Sequence, residues 1–231
     1  MAVLGCARTA VGGLGTRSGR SWLGITDSCS GAGAGAAVVT GGICMLTPWE
    51  GSKWEPRAWQ REALPIIVAG LLKREAGLVC AVMGAGKSIL QAEVIRMARH
   101  RLGDRCIVVC VPSQRLVQQL AATVAARIGE RAVGVFYGRK KQPEREVIVT
   151  CNPSLPALVE ALDGRGVGLV LIDEAHRSEA ARVREAVPKL NPWGVVGFTA
   201  TPFRSVPRET ISLFSALWYT YDITDAVRAG V

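Results

Sequence analysis

The sequence lacks the features that mark a membrane protein or a disulfide-stabilised secreted protein. No uninterrupted apolar run in its 231 residues approaches the ~20 residues of a membrane-spanning helix. The seven cysteines are odd in number and include no Cys-x-x-Cys pair. Because Cys80, Cys106, Cys110 and Cys151 lie in apolar runs, we interpret them as small buried side chains of a cytoplasmic protein, whose thiols stay reduced.

Acidic residues are scarce relative to basic ones. The chain has 28 Lys and Arg against 19 Asp and Glu, which gives a net charge of +9 and a pI near 9.6. An excess of this size suggests a polyanionic partner. The hydrophobic share of 49% is ample for a packed core, and the length fits one large domain or two small ones.

Residues 1–44 have almost no acid and no period that would bury one face. They are rich in Gly, Ala, Ser and Thr, and Asp27 is their single acid. Because such a segment cannot offset the entropy cost of ordering, we predict a disordered leader at 1–44 and a folded domain at 45–231. The leader lacks the apolar centre of a secretory signal. Its composition leaves a transit peptide open, and Met45 leaves open a later start.

The strongest pattern is a strand, a glycine loop and a helix. The apolar run Leu78–Val82 leads into Gly-x-Gly-Lys-Ser, and a helix-forming run starts at Ile89. Glycines let consecutive backbone N–H groups point inward, and the helix presents its positive end to an anion. The sequence therefore predicts a phosphate-binding P-loop, and the nucleotide-binding residues are Met83, Gly84, Ala85, Gly86, Lys87 and Ser88.

Two side chains of this loop have specific predicted roles. Lys87 would reach the β- and γ-phosphates of a nucleotide, and the Ser88 hydroxyl would bind Mg²⁺. The full Walker A pattern has a glycine where this chain has Ala81. Because the turn itself depends on Gly84 and Gly86, alanine at position 81 is compatible with a P-loop.

After the P-loop, strands and helices alternate, which predicts an α/β fold with a mostly parallel sheet and helices on both faces. The basic segment 138–141 is interpreted as a solvated turn, and Ser113 as a helix cap. The predicted strands are 106–111, 132–137, 146–151, 167–172 and 195–198. Helices are predicted from Pro56 through Leu71 with a kink at Pro65, and at about 113–128, 153–162 and 179–187.

Polar residues near the predicted strand ends suggest the chemistry. Asp173 directly follows an apolar strand, where a carboxylate facing a P-loop can hold Mg²⁺. Glu174 could then polarise the water that attacks the γ-phosphate. Gln60 precedes the P-loop on a predicted helix, and its amide could pair with both a donor and an acceptor on an adenine edge.

The ordered set of motifs resembles the first RecA-like domain of a superfamily 2 helicase. The most similar branch carries a DEAH box and includes type III restriction subunits and DNA-repair helicases. The resemblance covers about residues 49–231 and follows the family's motif order. The motifs are Trp59-Gln60 (Q motif), AVMGAGKS at 81–88 (I), VPSQRLVQQ at 111–119 (Ia), TCNPSL at 150–155 (Ib), DEAH at 173–176 (II) and FTATP at 198–202 (III).

The resemblance implies ATP and Mg²⁺ as cofactors and nucleic acid, with duplex DNA favoured, as partner. It makes Glu174 the general base, with Lys87 and Asp173 as its catalytic partners. His176, Thr199 and Thr201 would couple the nucleotide to the nucleic-acid face. Contacts to the backbone of one strand are implied for Ser113, Arg115 and Ser154, whereas Gln114 departs from the family's arginine or threonine.

The family also carries a second RecA-like domain with arginine fingers, and no sequence for it occurs before Val231. We therefore expect this chain to be the ATP-binding half of a DNA helicase or translocase, with weak hydrolysis by itself. The alternative is a truncated module that binds nucleotide or nucleic acid without turnover. A P-loop kinase would explain Gly-Lys-Ser but not DEAH or FTATP.

Overall fold

The structure, a computed structural model, describes residues 46–175, 180–200 and 213–230. The predicted leader, His176 and Thr201 lie outside these ranges. The strands are β1 (Ala76–Ala81), β2 (Cys106–Val111), β3 (Val133–Tyr137), β4 (Lys140–Lys141), β5 (Val147–Cys151), β6 (Val167–Ile172), β7 (Gly194–Thr199) and β8 (Ala216–Tyr221). The α-helices are α1 (Ala58–Leu72), α2 (Lys87–Arg99), α3 (Gln114–Ile128), α4 (Leu155–Ala161), α5 (Ala180–Lys189) and α6 (Ile223–Arg228).

The strands form one sheet in the order β4-β3-β5-β2-β6-β7-β1-β8. Every neighbouring pair is parallel except β3 and β4. The strands β2, β5 and β6 are buried along their whole length, because helices cover both faces of a parallel sheet and each apolar run is enclosed from two sides. The predicted fold class is therefore confirmed.

Two layers of helices enclose this sheet. On one face, α4 and α5 pack together over a core that includes Leu78 of β1. On the opposite face, α2 packs against both α1 and α3. The ring of Trp218 in β8 fills this second layer so closely that a Cβ at Gly70 or Gly77 would overlap it. Since Gly77 and Leu78 are consecutive strand residues, they face opposite sides of the sheet.

Three elements differ from the sequence-based prediction. The helix α2 begins at Lys87 rather than at Ile89, because Gly86 is its N-cap in a left-handed conformation (φ 90°). The basic turn 138–141 is partly a strand, since β4 pairs with β3 in an antiparallel hairpin. The strand β8 was not predicted; it pairs with β1 and is the last strand at that end of the sheet.

A buried carboxylate fixes the helix that follows the P-loop. Glu93 of α2 is fully buried and accepts hydrogen bonds from Arg96 Nη2 (2.8 Å) and Arg127 Nε (2.6 Å). It also accepts one from the Trp49 backbone N–H (2.8 Å). Burial alone would raise the pKa of Glu93, but these hydrogen bonds outweigh it and lower that pKa. Glu93 therefore joins α2, α3 and the segment before α1.

Two expectations about the class of protein can be compared with the structure. The four cysteines of the apolar runs are buried and are not in disulfides, as predicted. Among the described residues, no helix combines the length and the apolar character needed to cross a bilayer.

Candidate functional site

The P-loop leaves β1 at the carboxyl edge of the sheet and turns directly into α2. Its two glycines have positive φ angles, 78° at Gly84 and 90° at Gly86, which side chains with a Cβ rarely adopt. The Ala85 N–H donates to the Val82 carbonyl at 3.3 Å and closes the turn. Ala85 is fully buried, while Met83 is 80% exposed. The backbone thus forms the kind of turn that presents N–H groups at a helix N-terminus.

The lysine of the loop lies folded over its own turn. Lys87 Nζ donates to the carbonyl oxygens of Ala81 at 2.9 Å and Val82 at 3.3 Å. The ammonium is thereby held at the two carbonyls that lead into the loop. Phosphate oxygens of a bound nucleotide could replace these acceptors. Ser88 is half-buried in the first turn of α2, one residue further on.

Three side chains from the beginning of α1 hold the peptide groups of the P-loop. In a trans peptide, the carbonyl of one residue and the N–H of the next point in opposite directions. Fixing the carbonyls toward α1 therefore directs the following N–H groups away from it. The bonds are Arg57 Nη1 to the Gly84 oxygen (3.0 Å), Trp59 Nε1 to the Ala85 oxygen (3.1 Å) and Gln60 Nε2 to the Gly86 oxygen (2.9 Å).

Both ends of the Gln60 amide are used by the protein. While Nε2 donates to Gly86, Oε1 accepts a hydrogen bond from the Arg57 backbone N–H at 2.8 Å. The residue is 1% exposed. A contact between this amide and adenine therefore requires one of these bonds to be exchanged, and the adenine role of Gln60 stays a prediction.

The unpredicted strand β8 supports this arrangement. The ring of Trp59 stacks on Tyr221, with 5.3 Å between centroids and 16° between planes, and also lies beside Tyr219 at 6.4 Å. The Tyr221 carbonyl accepts a hydrogen bond from the Val82 N–H at 3.2 Å. The P-loop is thus held from α1 and from β8 together.

The acidic pair at 173–174 continues β6 at the same edge of the sheet. The Asp173 N–H donates to the Cys110 carbonyl (2.8 Å), and the Ala175 N–H donates to the Phe198 carbonyl (2.9 Å). These bonds fix the turn to both neighbouring strands. Glu174 lies between them with a left-handed φ of 48°, a strained conformation that is often found at functional sites.

Gln91 of α2 connects the P-loop helix to the acidic pair. Its Nε2 donates to Asp173 Oδ1 at 2.9 Å. Burial raises the pKa of Asp173, and Glu174 nearby also raises it, whereas the Gln91 bond and the charge of Lys87 lower it. A buried carboxylate with a raised pKa favours a cation as partner, since a cation stabilises its charged form.

The donor set fits an ion with few protein ligands. Among the described residues, no three or more His, Cys, Asp or Glu side chains are close enough to form a metal centre. Asp173 and Ser88 are two side chains with oxygen donors, a carboxylate and a hydroxyl. Mg²⁺ is commonly bound in this way, with waters and substrate phosphates completing its octahedron. The residues are therefore compatible with Mg²⁺ brought by a nucleotide.

The residues predicted to contact nucleic acid lie on two neighbouring strands. Val111 pairs with Cys151, and Ser113 and Ser154 follow these residues at the carboxyl edge. Ser113 is the N-cap of α3 by position, but its side chain makes no capping bond to the described backbone. Arg115 is exposed, and Ser154 is half-buried with its hydroxyl 3.3 Å from Cys151 Sγ. Their contacts with nucleic acid stay predictions.

The coupling residues can be located only in part. Thr199 is the last residue of β7, 1% exposed and paired in register with Cys80 of β1. His176 and Thr201 lie outside the described residues. The three coupling roles stay predictions.

Sequence reasoning missed several residues of this site. Gln91 could have been found, because it follows Lys87 by four residues and therefore lies on the same helix face. Arg57 and Tyr221 gave no such signal, since their contacts with the loop depend on how α1 and β8 pack.

The comparison with family models gives one match. The family described as "Type III restriction enzyme, res subunit" matches residues 53–204. The matched range includes the P-loop, the acidic pair and the predicted nucleic-acid residues. No curated protein matches the chain in sequence.

Solved helicase and restriction-enzyme structures share the fold. The UvsW helicase from bacteriophage T4 covers 73% of this chain with 18% identity and a TM-score of 0.59. A putative HsdR subunit of a type I restriction enzyme from Vibrio vulnificus covers 76% with 22% identity and a TM-score of 0.60. The Sulfolobus solfataricus SWI2/SNF2 ATPase core in complex with double-stranded DNA covers 75% with 17% identity and a TM-score of 0.58.

At these identities, the structural likeness establishes the fold alone. This chain spans 61%, 32% and 37% of the lengths of those three chains, respectively.

Proposed function

The chain belongs to the family of the type III restriction enzyme res subunit, and from this we propose that it is the ATP-binding domain of an ATP-dependent DNA helicase or translocase. Its fold is that of helicase-type NTPases, and the family gives the general class of activity. The identities of the nucleotide, of the metal and of the nucleic acid are part of the proposal.

One observation supports the nucleotide site above the others. The helix that follows the P-loop is joined to the acidic pair by the 2.9 Å bond between Gln91 and Asp173. A phosphate held by the N–H groups before Lys87 would then have a carboxylate across from it. In an open parallel sheet, ligands bind at this carboxyl edge.

The chemistry follows from the residues at that edge. In the proposed complex, Lys87 neutralises charge on the β- and γ-phosphates, and Ser88 and Asp173 hold Mg²⁺. The ion, when bound, neutralises charge that develops on the phosphate oxygens. Glu174 accepts the proton of the attacking water, for which its position next to Asp173 is suitable.

The nucleic-acid part of the proposal rests on exposure and charge. Ser113 and Arg115 are exposed beside the half-buried Ser154, and the chain as a whole has a net charge of +9. Short polar side chains and a helix N-terminus suit contacts to backbone phosphates, which position a strand without reading its sequence. Duplex DNA is the proposed partner.

Titration with a fluorescent ATP analogue in the presence of Mg²⁺ tests the nucleotide site. Lys87→Ala should weaken binding by about tenfold or more, because a charged hydrogen bond of roughly 1.5–3 kcal/mol is lost. Lys73→Ala is the matched control, since Lys73 is exposed at the other end of β1. Equal affinity of the parent protein and Lys87→Ala would contradict the assignment.

These 231 residues by themselves are proposed to bind ATP but to hydrolyse it poorly. The resemblance assigns arginine fingers to a second RecA-like domain, and such arginines contribute about 10³ to 10⁵ in rate in related phosphoryl-transfer enzymes. Lys87 and Mg²⁺ would neutralise only part of the charge of the transition state. Efficient hydrolysis would therefore need those arginines as well.

A further inference from the structure

Gln91 has two features that a merely structural glutamine would not combine. It is 1% exposed, and its Nε2 donates to Asp173 Oδ1 at 2.9 Å. Its Oε1 is buried and has no hydrogen-bond partner among the described residues. Buried amide oxygens in folded proteins nearly always have a donor, so that an unpaired one indicates a missing partner.

The position of Gln91 indicates which kind of partner is missing. It follows Lys87 by four residues, so that it lies about 6 Å further along α2 on the same face. The carboxylate that it contacts is the proposed Mg²⁺ ligand. A donor that pairs with Oε1 beside Asp173 would lie between the P-loop helix and the acidic pair. Water bound to a cation is such a donor.

We propose that Gln91 positions the metal at this site. Its Nε2 fixes the rotamer of Asp173, and its Oε1 accepts a hydrogen bond from a water molecule on the Mg²⁺ ion that the nucleotide brings. Gln91 itself does not contact the metal or the reacting phosphate. This role rests on the proposed nucleotide site and extends it to a residue outside the motifs in the resemblance.

An amide side chain suits this position because it can donate and accept a hydrogen bond at the same time. A glutamine supplies one donor group and one acceptor group at the end of the same chain. The donor is used by Asp173, which leaves the acceptor for a water. Residues that orient metal ligands typically change metal affinity by about 10- to 100-fold when they are replaced.

The test measures how strongly nucleotide binding depends on Mg²⁺. Affinity for a fluorescent ATP analogue is measured in EDTA and across a Mg²⁺ titration, for the parent protein and for Gln91→Met, which keeps the chain length without donor or acceptor. We expect Gln91→Met to bind the analogue normally in EDTA, but to need about tenfold more Mg²⁺ for the metal-dependent gain.

Two further variants make the result interpretable. Gln119→Met is the matched control, because Gln119 is an exposed glutamine of α3. Gln91→Ala leaves space instead of an apolar chain and serves if Gln91→Met does not fold. Melting temperature and affinity in EDTA report whether each variant keeps the fold and the P-loop.

The outcomes separate this proposal from the proposed function. If the parent protein binds no nucleotide, the function is wrong and the role of Gln91 is overturned with it. If the parent shows a Mg²⁺-dependent gain and the Gln91 variants show the same gain at the same Mg²⁺ concentration, only the Gln91 proposal is overturned. A parent whose nucleotide affinity is independent of Mg²⁺ would also overturn it.

Discussion

At the P-loop, three side chains from the N-cap and first turn of α1 hold three consecutive carbonyls. At the ends of β2 and β5, by contrast, the predicted nucleic-acid residues are largely exposed. Gln60 and Trp59 are buried against the loop. Ser113 and Arg115 instead project from the surface at the start of α3. Both groups lie at the same edge of one sheet, so the difference comes from the elements packed around them.

The difference agrees with the tasks proposed for the two regions. Phosphate capture by backbone N–H groups needs those groups aimed before the ligand arrives, because each peptide has only one donor. Contacts to a nucleic-acid backbone are made by side chains that can adjust to the strand. We therefore expect nucleotide binding to weaken when the side chains that hold the P-loop are replaced. Nucleic-acid binding should weaken only when individual charged side chains are replaced.

The largest effect is expected at Glu93, the buried carboxylate that fixes the helix after the P-loop. Glu93→Gln leaves the partly buried Arg127 and Arg96 without their buried carboxylate, which should lower the free energy of unfolding by about 3–5 kcal/mol. Urea denaturation at neutral pH measures this loss. Glu160→Gln, at an exposed position of α4, is the control and should change stability little.

The same carboxylate predicts a pH dependence. The pKa of Glu93 is lower in the folded protein than its ordinary value of 4.5. Its contribution is therefore fully present above that value and is lost as the pH falls through the lower folded pKa. Below pH 4.5, the gap in stability between the parent and Glu93→Gln should narrow. A constant gap down to the acid transition would contradict this account.

A smaller effect is expected when a single support of the loop is removed. Trp59→Phe keeps a ring that can stack on Tyr221 but leaves the Ala85 carbonyl without its donor, which costs about 1–3 kcal/mol for a buried group. Thermal melting and titration with an ATP analogue should both show a loss, while DNA affinity stays unchanged. Trp54→Phe, a half-buried tryptophan before α1, is the control. An equal loss in DNA affinity would mean that the two regions are not independent.

The smallest effect is expected at the exposed residues that are predicted to contact nucleic acid. Arg115→Ala should weaken duplex DNA binding about equally for all sequences and reduce the dependence of log affinity on log salt by about 1, because one phosphate contact is lost. Anisotropy of a labelled duplex over a range of salt measures this. Arg131→Ala removes an exposed arginine near the opposite edge of the sheet, before β3, and should leave the slope unchanged. Equal slopes for Arg115→Ala and the parent would remove Arg115 from the interface.

The sequence alone determined the parts of this protein that depend on local pattern. Apolar runs such as Cys106–Val111 and Val167–Ile172 gave strands with the observed bounds, because a strand buried on both faces needs an unbroken apolar run. Gly84 and Gly86 marked the turn of the P-loop, since their φ angles are positive. The order of the motifs predicts the family that the family model matches.

Only the tertiary structure decided which groups support the site. The strand β8 exists as a strand because it pairs with β1, and its half-exposed residues carry no clear period of their own. Gln60 is predicted to bind adenine from its position in the sequence, but only the packing of α1 against the loop shows that its amide also bonds Arg57 and Gly86. Gln91 meets Asp173 across 82 residues of chain. Contacts of this kind depend on the packing of distant elements, which local sequence patterns do not encode.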